Sequence, residues 1–152
     1  VTPLELTVAT LTHPLVLAAV MLLAACHIAH DCTARGALRF CGASIAAWLV
    51  AHGLKILVGD PRPAGGVIDA WGNGWPSGHA ALGAAAAVTL WFTLAPRRRT
   101  RAGRVALAAG LALGALALTW TRLFLGVHDL GDAAGGLAVG AAIGYLFRPR
   151  RA

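Results

Sequence analysis

Five long apolar runs, parted by short polar or Gly/Pro-rich links, constrain this chain more than any other feature. They cover roughly Leu11–Ala29, Leu38–Val58, Pro76–Ala95, Val105–Leu125 and Leu130–Phe147. A helix needs about 20 apolar residues to cross the hydrocarbon core of a bilayer, and each run is near that length, the third and fifth on the short side. The expected fold is therefore all-α: a polytopic membrane helix bundle with about five transmembrane helices, one domain over residues 1–152. Charged residues make up 12% of the chain against 58% hydrophobic, which excludes an ordinary soluble globule. Residues 1–10, with Pro3 and Glu5, read as an interfacial lead-in, and no basic stretch precedes the first run, so a secretory signal peptide is not expected.

Between the fourth and fifth runs lies a stretch that apolar packing does not explain. Thr121-Arg122-Leu123-Phe124-Leu125-Gly126-Val127-His128-Asp129-Leu130-Gly131-Asp132 places an arginine, a histidine and two aspartates beside lipid-length segments. Ionisable groups are expensive there and mark chemistry more often than packing. His128 and Asp132 are four residues apart, which on a helix puts them one turn apart on a shared face. That spacing suits an imidazole oriented by a carboxylate, with Arg122 supplying a fixed positive charge nearby. The set predicts a phosphate-handling site.

Charge distribution gives the expected topology. Ten of the thirteen Lys and Arg (Arg35, Arg39, Arg97, Arg98, Arg99, Arg101, Arg104, Arg148, Arg150 and Arg151) fall on the side of the first link, the third link and the C-terminus. The positive-inside rule assigns that side to the cytoplasm. Lys55, Arg62 and Arg122 are the exceptions, and they share the outer side with His79, His128 and Asp132. The net charge of +7 does not indicate nucleic acid, because the arginines sit at span ends with no aromatic-interleaved basic surface.

Three separated pieces converge on that outer side: Lys55-x6-Arg62-Pro63, Pro76-Ser77-Gly78-His79, and Arg122-x5-His128-x3-Asp132. Each alone is a weak signal. In this order, at span ends on one side, they are strong. The chain resembles the type-2 phosphatidic acid phosphatase superfamily of integral membrane lipid phosphatases, whose three motifs read K-x6-R-P, P-S-G-H and S-R-x5-H-x3-D. Thr121 stands where the third motif has serine and keeps a hydroxyl. The motifs extend from Lys55 to Asp132; familiar bacterial members have six spans, and five are counted here, the missing one at the N-terminus.

The residue chemistry agrees with what the resemblance implies. Lys55, Arg62 and Arg122 would hold a phosphate without a metal ion, arginine as a bidentate fork and lysine as a point charge. Ser77 and Gly78 would open the third helix, where free N–H groups and the helix dipole favour an anion. His128 would attack phosphorus to give a phosphohistidine, with Asp132 fixing its tautomer, and His79 would protonate the leaving group and then activate water. No metal and no cofactor is expected. A locking His128–Asp132 pair and a zinc site formed with His79 are the bland alternatives.

Other polar residues carry quieter expectations. Asp60 and Asp129 read as loop or cap residues, and His13, His27, His30 and His52 as structural or interfacial. Cys26, Cys32 and Cys41 read as buried free thiols, the Cys26–Cys32 cluster matching no common zinc spacing. Trp71, Trp75 and Trp120 read as interfacial anchors, with a lid role for Trp71 and Trp75 as the alternative. Gly131 and Gly135, and Gly136, Gly140 and Gly144, form small-residue stripes for packing within the bundle or, second, for a homo-oligomer contact.

The function expected is hydrolysis of a lipid phosphate or diphosphate (phosphatidic acid, phosphatidylglycerol phosphate, or a polyprenyl phosphate or diphosphate) at the outer face of a bacterial inner or plasma membrane. The other readings are a phosphotransferase sharing the first half-reaction and a non-catalytic membrane scaffold. The partners expected are the bilayer and its lipid phosphates, with no nucleic acid.

Overall fold

The computed structural model describes residues 1–70 and 72–149, so Trp71, Arg150, Arg151 and Ala152 lie outside the described residues. Six α-helices run in order: α1 Pro3–Leu11, α2 Pro14–Asp31, α3 Ala34–Val58, α4 Gly78–Leu94, α5 Arg101–Phe124 and α6 Leu130–Leu146, with a 3-10 turn at Ala95–Arg97 and no strand among the described residues. Four segments are long and apolar enough to cross a membrane: Pro14–Asp31, Ala34–Val58, Gly78–Arg97 and Arg101–Phe124. The fifth, α6, is shorter at 17 residues, about 25 Å of helix.

Capping chemistry accounts for where the helix ends depart from the apolar runs. The lead-in is a separate helix, α1, closed by a Thr2–Glu5 capping box. The first span starts at Pro14 rather than Leu11, because His13 caps it and Pro14 takes the first helical position, where its missing N–H is no loss. The polar link expected over residues 30–36 shrinks to Cys32 and Thr33. The Thr33 hydroxyl accepts from Gly36 N–H at 2.9 Å and starts α3 at Ala34. Thr100 does the same for Gly103, so α5 begins at Arg101, before the apolar run itself. These caps replace hydrogen bonds that the first turn of a helix otherwise lacks.

Helix α4 is the centre of the bundle. It packs on α3, α5 and most closely α6, while α2 lies on α3 and α5 and α6 hardly touch. The interior is built from small residues: Ala47 and Ala51 of α3 meet Ala81 and Ala85 of α4, and Phe40 fills the space among Ala25, Ile28, Ala37 and Ala86. Large apolar side chains face outward instead, as Leu23 and Leu113 do. Such an inversion fits a surrounding of lipid, where close backbone approach drives association. The α6 glycine stripe is spent inside the bundle: a Cβ at Gly136 would lie 2.3 Å from the Ser77 carbonyl oxygen, and one at Gly140 2.0 Å from that of Ala81.

The thiols depart from expectation. All three cysteines are free, but Cys26 is exposed on α2, while Cys32, in the α2–α3 link, and Cys41 are half-buried against the edge of the Phe40 cluster.

Candidate active site

Alternation of the helices brings the end of α3, the start of α4, the end of α5 and the start of α6 to one end of the bundle, together with the α1–α2 corner. Arg35, Arg39, Arg97 to Arg104 and Arg148 lie at the opposite end. At the site end two loops, residues 59–77 and 125–129, are joined by Val67 N–H donating to the Leu125 carbonyl at 2.9 Å. Gly59 ends α3 and Gly126 turns the chain after α5, at φ of 69° and 65°, where a side chain would be strained.

His128 is not on a helix. It precedes Asp129, the N-cap of α6, so the expected shared helix face is replaced by a capping turn. The Asp129 carboxylate accepts from Asp132 N–H at 2.8 Å, and Asp132 Oδ2 accepts in return from Asp129 N–H at 3.3 Å. Asp132 Oδ2 also accepts from His128 Nδ1 at 2.8 Å, with both side chains buried. The capping box thus holds the carboxylate that orients the imidazole, and Asp129 is the cap residue the sequence suggests.

The other ring nitrogen defines the chemistry. Arg62 Nη1 stands 3.3 Å from His128 Nε2 and donates at 2.8 Å to the Val127 carbonyl, while Arg62 Nε donates to the Gly72 carbonyl. A guanidinium can only donate, so Nε2 is the acceptor and Nδ1 carries the proton. The lone pair therefore faces the basic groups. Burial, reinforced by the charges of Lys55, Arg62 and Arg122, pushes the His128 pKa down to about 3, leaving a neutral imidazole. Burial likewise lowers the pKa of Arg62, which still remains a cation.

Lys55 is buried near the end of α3 and donates to the Asn73 and Gly74 carbonyls at 2.7 and 2.6 Å. Asn73 returns a bond to the Lys55 carbonyl, strapping the loop to the helix. Gly74 lies against Asp132, and a Cβ there would be 3.0 Å from Oδ2. Ser77 is the N-cap of α4, one residue before the helix, and is fully buried; its N–H donates to the Asp132 carbonyl at 2.9 Å. Its hydroxyl makes no cap bond and has no partner among the described residues, and the same is true of Arg122 Nε. Two buried donors left in this state are a fit for an anion. Gly78 is buried with the His52 ring beside it, and His52 itself donates to the Trp48 carbonyl.

His79 is within electrostatic reach of Arg122, His128 and Lys55, and its Nε2 lies 2.9 Å from the Thr12 carbonyl oxygen. Arg122 is buried, and its Nη1 is 3.3 Å from the Thr12 hydroxyl. All eight candidate residues thus lie at one end of the bundle. Thr12 and Asn73 are the residues that sequence reasoning missed; neither belongs to a motif, and a threonine in a lead-in carries no signal of its own.

The remaining expectations divide. His27 and His30 both pair with Asp31, in an exposed group at the far end of α2. No group of three or more His, Cys, Asp or Glu among the described residues converges as a metal ligand set. Trp75 packs on α6 at Gly135, whereas Trp120 is exposed on α5. An apolar groove of about 510 Å3 between α5 and α6, lined among others by Leu116, Trp120, Leu130 and Leu137, contains none of the candidate groups.

Comparison with known proteins adds two findings. Residues 36–151 match the pattern of the PAP2 superfamily. The fold is similar to that of a transmembrane PAP2-type phosphatidylglycerolphosphate phosphatase from Bacillus subtilis, with a TM-score of 0.81 at 18% identity, over 97% of this chain and 76% of that one. No curated protein matches the sequence.

Proposed function

The chain belongs to the PAP2 superfamily, and from that premise we propose that it is a metal-independent lipid phosphatase, one transmembrane domain over residues 1–152, acting at the extracytoplasmic face of a bacterial membrane. The observation that carries the reading is the His128 ring, its Nδ1–H on Asp132 and its Nε2 lone pair turned to Arg62. That is the protonation state and orientation a nitrogen nucleophile needs.

In the proposed reaction the phosphate enters among Lys55, Arg62, Ser77, Gly78 and Arg122. Its oxygens take over the Arg62 hydrogen bond at Nε2 and engage the Ser77 hydroxyl and Arg122 Nε. His128 Nε2 then forms a bond to phosphorus as the phosphorus–oxygen bond to the lipid breaks, and His79, protonated also at Nδ1 beside the bound phosphate dianion, gives that second proton to the leaving oxygen. Positive charge appearing on the imidazole is stabilised by Asp132. Water, deprotonated by His79, next attacks phosphorus, releasing inorganic phosphate and restoring neutral His128. Fixed donors aimed at the phosphoryl oxygens lower the barrier without reorganising at the moment of reaction.

The substrate proposed is a lipid whose tail stays in the bilayer while its phosphate reaches the span ends: phosphatidic acid, phosphatidylglycerol phosphate, or a polyprenyl phosphate or diphosphate. A panel of these, assayed for phosphate release with wild type and His128→Ala, tests the reading. Turnover by wild type that His128→Ala abolishes, a phosphoryl adduct on His128, inhibition by vanadate and indifference to chelators are expected. Transfer to an added acceptor alcohol with no release to water would make the protein a phosphotransferase. Turnover unaffected by His128→Ala would refute the mechanism.

A further inference from the structure

Thr12 closes α1 and touches two site residues from outside the family-matched residues 36–151. It is buried, at the end of a helix whose residues are largely exposed. Its hydroxyl donates to the Val8 carbonyl at 2.8 Å, so toward Arg122 only its lone pairs remain, and Arg122 Nη1 donates to it at 3.3 Å. Its carbonyl, one of the acceptors that a helix end leaves unsatisfied, takes the Nε2–H of His79 at 2.9 Å. We infer that Thr12 is a positioning residue of the phosphate pocket, holding Arg122 through its hydroxyl and His79 through its carbonyl, so that the N-terminal helix is part of the site.

The electrostatics of Arg122 make this more than a packing contact. A buried guanidinium needs hydrogen bonds, and that to Thr12 is the one its side chain makes among the described residues, Nε being left without a partner. Thr12 thus decides which part of the fork stays turned to the pocket. On the other flank, a backbone carbonyl holding the Nε2–H fixes the His79 ring much as Asp132 fixes that of His128. The inference rests on the phosphatase reading, since it assigns Thr12 a role toward a bound phosphoryl group.

The test uses the full chain in liposomes, with orthovanadate as the probe of the pocket and phosphate release as the readout of turnover. Thr12→Val and Thr12→Ala remove the hydroxyl, and Thr12→Ser keeps it. Losing one hydrogen bond to a charged group weakens vanadate binding and raises KM by about 10-fold, with a smaller change in kcat, while Thr12→Ser stays within about 3-fold of wild type. In a cycle with Arg122→Lys, the double variant is little worse than Arg122→Lys alone, because Thr12 acts through Arg122. A purely structural threonine would lower the unfolding temperature and leave KM and vanadate affinity unchanged, which overturns the inference. If wild type binds vanadate and turns over but both hydroxyl-free variants match it, Thr12 alone is overturned. If wild type does neither, the phosphatase reading falls and the inference with it. Should Thr12→Val fail to insert and fold, Thr12→Ala, which needs no room for a branched chain, decides.

Discussion

Replacing Asp132 by Asn isolates the charge that the proposed mechanism needs, because the amide has nearly the carboxylate's shape. In the folded protein Asp132 Oδ2 accepts from His128 Nδ1 at 2.8 Å and from Asp129 N–H at 3.3 Å, and an amide oxygen can do both. The α6 cap and the imidazole orientation should therefore survive, and the unfolding temperature should change little. What is lost is the negative charge facing the imidazolium that forms on attack. Unit charges about 4 Å apart at an effective dielectric constant of about 20 attract by about 4 kcal/mol. The amide dipole keeps part of this, so kcat should fall by about 10² to 10³, since each 1.36 kcal/mol is about tenfold in rate. KM should stay within a few-fold, because the neutral imidazole of the ground state does not need the charge. The assay is steady-state phosphate release from the best lipid phosphate in the panel, paired with rapid-quench measurement of phosphohistidine formation. A kcat within about 5-fold of wild type would refute charge stabilisation by Asp132. So would a rise in KM with kcat unchanged, which would make Asp132 part of phosphate binding.

Arg62→Lys keeps the charge but cannot donate to the Gly72 and Val127 carbonyls while facing His128 Nε2, and kcat/KM should fall by about 10- to 100-fold; a change under about 3-fold would show that only the charge matters. The His128 pKa, held at about 3 by burial and the surrounding cations, gives a signed pH dependence. Unfolded chain binds a proton below about pH 6.5 while the folded imidazole does not, so stability falls as pH drops from about 6.5 toward 3 and is unaffected by this group above about 7. Unfolding temperatures across that window should slope less for His128→Gln than for wild type; equal slopes would refute the assignment. Gly140→Ala would place a Cβ 2.0 Å from the Ala81 carbonyl oxygen and should destabilise by about 3 kcal/mol, while Gly53→Ala, with nothing within 4 Å, should be neutral or slightly stabilising in thermal unfolding.

The sequence told most where spacing maps directly onto a helical bundle. Five apolar runs in alternation carry Lys55, Ser77, Arg122 and His128 to one end whatever the details of packing, and that is where the fold has them. It told less where a cap decides the geometry. The i,i+4 spacing of His128 and Asp132 suggested a helix face, but Asp129 competes for the first turn with its own side chain, and the pair forms across a cap instead. Thr33 and Thr100 shift helix starts for the same reason: a hydroxyl that replaces a missing hydrogen bond outweighs the hydropathy of the next few residues. Thr12 was illegible because its role comes from where α1 stops, a tertiary fact with no sequence period behind it.

The small-residue helices and the charged site belong to one physical scheme. Lys55, Arg62 and Arg122 all act on His128, against the two acids of the capping box, Asp129 and Asp132, which leaves the pocket with an excess of positive charge that opposes folding. A site with the proposed role of gripping a phosphoryl group could not add acids to relieve that repulsion without weakening its attraction for an anion. The opposing stability has to come from elsewhere, and the α4–α6 contact supplies it. Gly136 seats α6 directly against the Ser77 carbonyl, in the residue whose hydroxyl has no partner among the described residues and whose N–H is held by the Asp132 carbonyl. Close backbone packing therefore does two things at once: it holds the helices together in lipid and fixes the distance between the α4 and α6 N-termini on which the proposed chemistry depends. A side chain at Gly136 would for this reason harm turnover as well as stability, by pushing Ser77 and His79 away from His128.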